Sequence, residues 1–265
     1  MTLHAQGMTI LVTGATGKVG GQVMAQLPVP ARAFSRSTGG DVTDVDSVRA
    51  ALDGVTSVFL VWPFFHVEGL EPVVDVIASS SVRRVVYLSS AGDPEWALAA
   101  EALIEKSGVE WTFLRPTGFA GNTLLWADEI KASGVVRAPY GQLARPLIHE
   151  YDMAAVGVRA LLSDDHVGAK YLLSGPELVS QVEQVRIIGD VIGRDLRFDE
   201  QPAEEARAKM IAAGWPEAVA NGALAAWAGM VADPEPVTST VAEVTGSPAR
   251  SFRAWVADHV ADFKV

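Results

Sequence analysis

The sequence predicts an α/β protein: a doubly wound parallel sheet followed by a smaller, mostly helical C-terminal lobe. Three observations carry this reading. Short β-type apolar runs alternate with helix-period stretches through the first half of the chain. Several of those runs lack polar alternation, as strands covered on both faces do. From about Val136 helical patterning dominates, interrupted by one strong strand.

The six expected strands are Thr9–Thr13, Ala31–Ser35, Ser57–Trp62, Arg84–Ser89, Trp111–Arg115 and Lys170–Ser174. A helix is expected over Pro94–Ser107, because Trp96, Ala99, Ala100, Leu103 and Ile104 share one helical face. Pro94 suits its start and Gly108 its end. Such alternation implies right-handed βαβ crossovers. Later helices are expected at Tyr151–Leu162, Val179–Ile192, Ala203–Ala213, Pro216–Val231 and Ala249–Phe263. Ser247 is the expected cap of the last, with Pro248 in its first position. Asp233-Pro234-Glu235-Pro236 reads as a stiff connector. The expected division is an α/β domain over 8–135, its sheet completed by strand 170–174, and a mostly helical lobe over 136–265.

Composition narrows the function. With 265 residues, 49% of them hydrophobic and 20% charged, the chain buries a sizeable core. It has no cysteine, which excludes disulfides, thiolate metal sites and cysteine nucleophiles. A net charge of −11, with no basic run, argues against nucleic-acid binding. Met1–Gly7 shows no targeting pattern, and no apolar run reaches the roughly 18 residues that span a bilayer. A cytoplasmic protein with no membrane segment is expected, and a peripheral membrane role stays open. His4, His66, His149, His166 and His259 show no metal-ligand spacing, so no metal is expected. No Gly-x-Ser-x-Gly elbow is present.

The most informative stretch is ThrIleLeuValThrGlyAlaThrGlyLysValGlyGlyGlnVal at 9–23. A buried strand runs into glycines 14, 17 and 20 and then into a helix. Gly14 permits the tight turn, Gly17 admits a pyrophosphate to the backbone, and Gly20 lets helix and strand pack closely. The helix N-terminus adds partial positive charge. This is a Rossmann-type dinucleotide fingerprint, with Gly14, Thr16, Gly17, Lys18 and Val19 as expected contacts. An NAD site usually carries an acid about 20 residues beyond the first glycine. Here the second strand ends in Arg32-Ala33-Phe34-Ser35-Arg36, without one. Ser35 and Arg36 suit a 2′-phosphate, so NADP is the expected cofactor. The competing reading makes Arg36 a solvated surface charge. Asp41, followed by Val42, is equally suited to touch the adenine or to close a turn.

With these residues the chain resembles the NmrA-like group of atypical short-chain dehydrogenases/reductases. ThrGlyAlaThrGlyLysValGly at 13–20 carries the likeness, together with ValValTyrLeuSerSerAla at 85–91. SerGlyValGluTrpThrPheLeuArgPro at 107–116 and TyrLeuLeuSerGlyProGlu at 171–177 extend it. The resemblance spans nearly the whole chain, the Pro248–Phe263 helix included. It implies NADP binding without fixing a reaction, because the group holds quinone and carbonyl reductases beside non-catalytic redox sensors, and extended relatives include epimerases and dehydratases.

Reductases of the wider superfamily use Tyr-x-x-x-Lys to protonate the substrate oxygen. None of Tyr87, Tyr140, Tyr151 and Tyr171 has a lysine four residues on. Set against Glu101, the family spacing puts the lysine position near Ala97 and the tyrosine position near Asp93. Asp93 is therefore a candidate acid. Ser90 takes the superfamily's serine position, and a purely local backbone bond suits it equally well.

Further contacts are expected at the carboxyl edge of the sheet. Val61 and Trp62 open an aromatic loop, Trp62-Pro63-Phe64-Phe65-His66, which either stacks on a planar substrate or packs as a lid. Ser89, Pro116, Gly118 and Phe119 follow the fourth and fifth strands. His66 and His149 are candidate proton donors, although a lone histidine is more often structural. Asp152 suits a helix start. Trp227 reads as core packing more readily than as an oligomer contact. The expected function is NADP(H)-dependent hydride transfer to or from a quinone-like, aromatic or activated carbonyl small molecule, by a monomer or homodimer. The alternatives are a non-catalytic NADP-binding sensor and a non-redox lyase or isomerase.

Overall fold

The computed structural model describes residues 8–264. The expectations for Met1–Gly7 and His4 lie outside the described residues.

Along the chain, β1 (Ile10–Thr13), α1 (Lys18–Gln26), β2 (Ala31–Phe34), α2 (Val45–Ala51), β3 (Ser57–Leu60) and α3 (Leu70–Ala78) come first. Next are β4 (Arg84–Leu88), α4 (Glu95–Lys106), β5 (Glu110–Pro116), α5 (Ala127–Ser133), β6 (Val135–Ala138) and β7 (Ala144–Arg145). Then follow α6 (Glu150–Leu162), β8 (Ala169–Leu173), β9 (Val179–Ser180), α7 (Gln181–Ile192) and β10 (Arg197–Glu200). The chain closes with α8 (Ala203–Ala212), α9 (Glu217–Ala232), α10 (Thr240–Thr245), α11 (Phe252–Asp258) and α12 (Val260–Phe263).

Two compact units interleave along the chain. The first comprises residues up to Pro116, Glu150–Leu173 and Thr240–Pro248; the second comprises Thr117–His149, Ser174–Ser239 and the segment from Ala249.

In the first unit six parallel strands lie in the order β2-β1-β3-β4-β5-β8. β1 and β3 are buried along their full length, which explains their unbroken apolar sequences. One sheet face sends Leu11, Val58, Leu60 and Tyr87 into a core with Val48, Leu70, Val73 and Ile77 from α2 and α3. On the other face α6 packs against β3, β4 and β5. Chain order reverses between β1 and β3, so the crevice beyond their carboxyl ends is where this topology places ligands.

Arg84 is the polar anchor of this unit, 1% exposed. Its guanidinium donates to the carbonyls of Ala160, Leu161 and Ser163 at 3.3, 3.4 and 2.8 Å, which ends α6 with a cation. It also holds Glu110 at 2.9 Å and pairs with Asp164. Hydrogen bonds from Arg84 and Arg83 pull the Asp164 carboxyl below its usual range. A depressed carboxyl stabilises the fold above its unfolded pKa, and that contribution disappears as pH falls through the folded value.

The second unit is mostly helical, with a parallel pair β10–β6 and an antiparallel pair β7–β9. Neither pair follows from the sequence patterning, which shows one strand beyond Val136. α7 begins at Gln181 rather than Val179, because Ser180 and Glu183 form a reciprocal capping box. The closing helix also differs from expectation. Its cap is Ser251, which accepts from the Ala254 N–H at 3.2 Å, and not Ser247. Pro248 lies in the preceding loop, and the helix breaks at His259 into α11 and α12. Nor is α9 a core helix: only Ala220 and Leu224 are buried, while Trp227 is half-buried.

Candidate cofactor and substrate sites

The turn after β1 is held by steric necessity. Gly14 sits at φ +61°, where L side chains are strained. A Cβ on Gly20 would lie 2.2 Å from the Gly14 carbonyl oxygen, so α1 packs against the turn only because residue 20 has no side chain. Gly20→Ala is expected to cost about 1–3 kcal/mol in chemical denaturation, the usual range for overpacking. The N-terminus of α1 at Gly17 has no side-chain cap and no acid in its first turn. By contrast, Asp44 caps α2. Uncapped N–H groups and the helix dipole leave an anion site at α1.

A cavity of 560 Å³ opens beside this turn, within the first unit. Gly14 and Thr16 line it from β1, Phe34 to Ser37 from β2, and Val61, Pro63 and Phe64 from β3. Gly40, Asp41, Val42 and Thr43 complete the wall. Beyond Phe34 the chain makes a short 3-10 turn, Arg36–Thr38, capped by Ser35. This turn gathers hydroxyl groups: Ser35 Oγ lies 3.0 Å from Ser37 Oγ, which donates to Thr16 Oγ1 at 3.1 Å. Arg36 is exposed; its carbonyl accepts from the Gly39 N–H at 3.2 Å, and its guanidinium makes no hydrogen bond or ion pair among the described residues. A guanidinium beside a hydroxyl cluster and an open helix N-terminus fits a phosphorylated ribose. Ser37 and Thr38 escaped sequence reasoning; only their serine/threonine-rich run signalled them.

Asp41 lines the cavity while serving its own turn. Its carboxylate accepts from the Thr43 N–H at 2.9 Å and the Thr43 hydroxyl at 2.7 Å. Those bonds, helped by the Arg36 charge, hold its carboxyl below the usual range. Of the other expected contacts, Gly17 and Lys18 are exposed at the start of α1, and Val19 is buried. Trp62 is buried and donates its indole N–H to the His66 carbonyl at 2.8 Å. His66 is exposed and stacks on Phe64, centroids 5.1 Å apart.

The β4–α4 turn contains neither a tyrosine nor a lysine. Ser90 Oγ donates to the Ala91 carbonyl at 3.1 Å, the local bond that competed with its catalytic reading. Ser89 is buried and donates to Glu101 Oε1 at 2.6 Å. Asp93 adopts φ +49° and is ion-paired with Arg115 at 2.9 Å. Arg115 also donates through Nε to the buried Glu101 at 2.8 Å, and Lys170 lies 3.7 Å from the same carboxylate. Ala97, the expected lysine position, is buried. Tyr87 is fully buried, and burial and then the Glu101 charge push its phenol well above the ordinary range. Burial likewise raises Tyr171, which is bonded to His166 Nδ1 at 2.8 Å. Pro116 ends β5, and its carbonyl accepts from the Ala91 N–H at 3.0 Å.

Gly118 and Phe119 belong to the second unit. The Gly118 carbonyl accepts from the Ile148 N–H, and Phe119 lines a separate pocket of that unit. His149 is buried there, with Nε2 3.2 Å from Asp258. Among the described residues no group of three or more histidines or acids is placed to hold a metal. No described helix is long and apolar enough to cross a membrane.

A parallel sheet with this glycine turn defines a dinucleotide-binding protein, and comparison with known proteins agrees. A family described as NAD(P)H-binding matches residues 14–164. The chain belongs to that NAD(P)H-binding family and is an oxidoreductase. A (4-alkanoyl-5-oxo-2,5-dihydrofuran-3-yl)methyl phosphate reductase of Streptomyces griseus is 39% identical over 279 aligned positions, covering 96% of this chain and 99% of the relative. An NAD(P)H azoreductase of Xenophilus azovorans is 29% identical, covering 96% and 99%. The fold matches an NADPH-dependent quinone oxidoreductase of Escherichia coli complexed with NADPH, with TM-score 0.77, 20% identity and coverage of 95% and 98%.

Proposed function

We propose that the protein is an NADPH-dependent reductase that delivers hydride to an electron-poor conjugated small molecule: a quinone-like, aromatic or activated carbonyl compound. The observation that carries this reading is the β4–α4 turn, where an ion-paired Asp93 and a buried Ala97 stand in place of tyrosine and lysine. Ordinary ketone reduction relies on a positioned acid worth roughly 10²–10⁴ in rate. A quinone gains aromatic stabilisation on reduction and can take its protons from water. The names of the relatives point the same way, since a dihydrofuranone, an azo group and a quinone are all conjugated acceptors.

Bound NADPH would supply the hydride. In this reading Gly14, Gly17 and the α1 N-terminus take the pyrophosphate, while Arg36, Ser35, Ser37 and Thr16 take the 2′-phosphate. Val42 and Asp41 border the adenine. The protein works in the cytoplasm on a diffusible substrate.

A substrate panel tests the proposal. NADPH consumption is expected with menadione and with an α,β-unsaturated lactone, and not with cyclohexanone. Turnover of cyclohexanone at a comparable rate would show that a positioned proton donor operates here after all.

A further inference from the structure

The second unit contains a half-open pocket of about 170 Å³. Its walls are Phe119 and Trp126 on one part of the chain, Leu143 and Leu147 beside β7, and Trp227 from α9. Leu125, 79% exposed, stands at its rim. A cavity of roughly 150 Å³ lined by apolar side chains holds a benzene ring, so this volume takes one flat ring, and the open side leaves room for a fused second ring toward solvent.

Arg145 is the one charged side chain in this lining, and its charge is already matched. It donates to Glu235 through Nε at 2.7 Å and through a terminal nitrogen at 2.9 Å, a two-pronged pair with both side chains mostly covered. A Cβ on Gly118 would lie 2.8 Å from Arg145 Cζ, so the guanidinium lies against bare backbone. A planar guanidinium with its edges occupied still offers a face for stacking.

Two of the three lining amides are engaged as well, and the third, Asn122, is exposed to water. Gln181 Nε2 donates to the carbonyls of Pro139 and Tyr140 at 2.8 and 3.0 Å. Gln184 Nε2 donates to the Val179 carbonyl at 3.2 Å, and its Oε1 accepts from Thr123 at 3.3 Å. The pocket therefore presents aromatic faces, aliphatic carbon, a neutralised ion pair and one exposed amide, Asn122.

We infer that this pocket binds a flat, uncharged, apolar ring system, and that Glu235 sets this preference by cancelling Arg145. The ligand's identity as the hydride acceptor rests on the reductase reading above; the binding site itself does not. An anionic ring would need to displace Glu235 from Arg145 or be buried without a counter-ion, and both are costly.

Calorimetric titration of the full-length protein without NADPH tests the inference with two ring-matched probes, menadione and naphthoquinone sulfonate. The absence of cysteine removes thiol adducts as a complication. Menadione is expected to bind about tenfold or more tighter than the sulfonate, a gap of about 1.4 kcal/mol. Trp227→Ala should weaken menadione by about tenfold, and Leu125→Ser, at an exposed position that cannot unsettle the core, by a smaller factor. Glu235→Gln should strengthen the sulfonate by about tenfold while leaving menadione nearly unchanged, because it frees the guanidinium. Equal affinities for the two probes, or menadione binding indifferent to both Trp227→Ala and Leu125→Ser, would overturn the inference. Normal menadione binding with no reduction after NADPH is added would leave the pocket standing and count against the reductase reading.

Discussion

Arg84→Met is expected to lower the unfolding free energy by about 3–5 kcal/mol, because it deletes a buried guanidinium on which three carbonyls depend. The guanidinium supports several groups at once: three carbonyls at the end of α6 and the carboxylates of Glu110 and Asp164. Methionine fills much of the same volume but donates nothing. Each buried carbonyl left without a donor costs roughly 1–3 kcal/mol. Glu110 and Asp164 are 33% and 66% exposed, so water recovers part of their loss. Arg84→Lys should fall between the two, since it keeps the charge but loses the fork. Urea denaturation followed by circular dichroism reads the effect. A loss below about 1 kcal/mol would place Arg84 among surface ion pairs, which contribute little.

Arg36→Ala is expected to weaken NADPH by about tenfold to a hundredfold and to leave NADH nearly unchanged. The basis is a charge-assisted contact to the 2′-phosphate worth roughly 1.5–3 kcal/mol. Arg36 is exposed at the cavity wall, so salt should erode the preference. Titration of wild type and variant with both cofactors decides the matter. Equal weakening of both would show that Arg36 supports the turn rather than reading the phosphate. A wild-type preference for NADH would move attention to Asp41.

The parallel sheet was legible because its strands are apolar on both faces. All six expected strands lie within two residues of their observed bounds. The glycine turn was legible for a different reason: the Gly14–Gly20 contact tolerates no substituent, so the residue type reports the geometry. The cofactor cavity was half legible. Arg36 and Ser35 stood out at a strand end, whereas the Ser37–Thr16 bond joins residues 21 apart and leaves no local pattern.

The second unit was harder to read. β10 has the sequence ArgPheAspGlu, without strand alternation, and exists because it pairs with β6. Ser247-Pro248 satisfied the rule for a helix start, yet Ser251 supplies the cap. Two good local signals competed, and tertiary packing of Phe252 and Trp255 accompanies the later start. The Arg145–Glu235 pair spans 90 residues, and Glu235 sits in what reads as an inert connector. No periodicity could have joined them.

The most direct test of the reductase assignment is an anaerobic single-turnover reaction of protein, menadione and NADPH deuterated at the transferring position. Stoichiometric loss of NADPH with formation of the hydroquinone, slower than with unlabelled NADPH, is the predicted result. If both ligands bind yet the nicotinamide absorbance stays constant, the protein does not transfer hydride to this class of acceptor, and the account is contradicted.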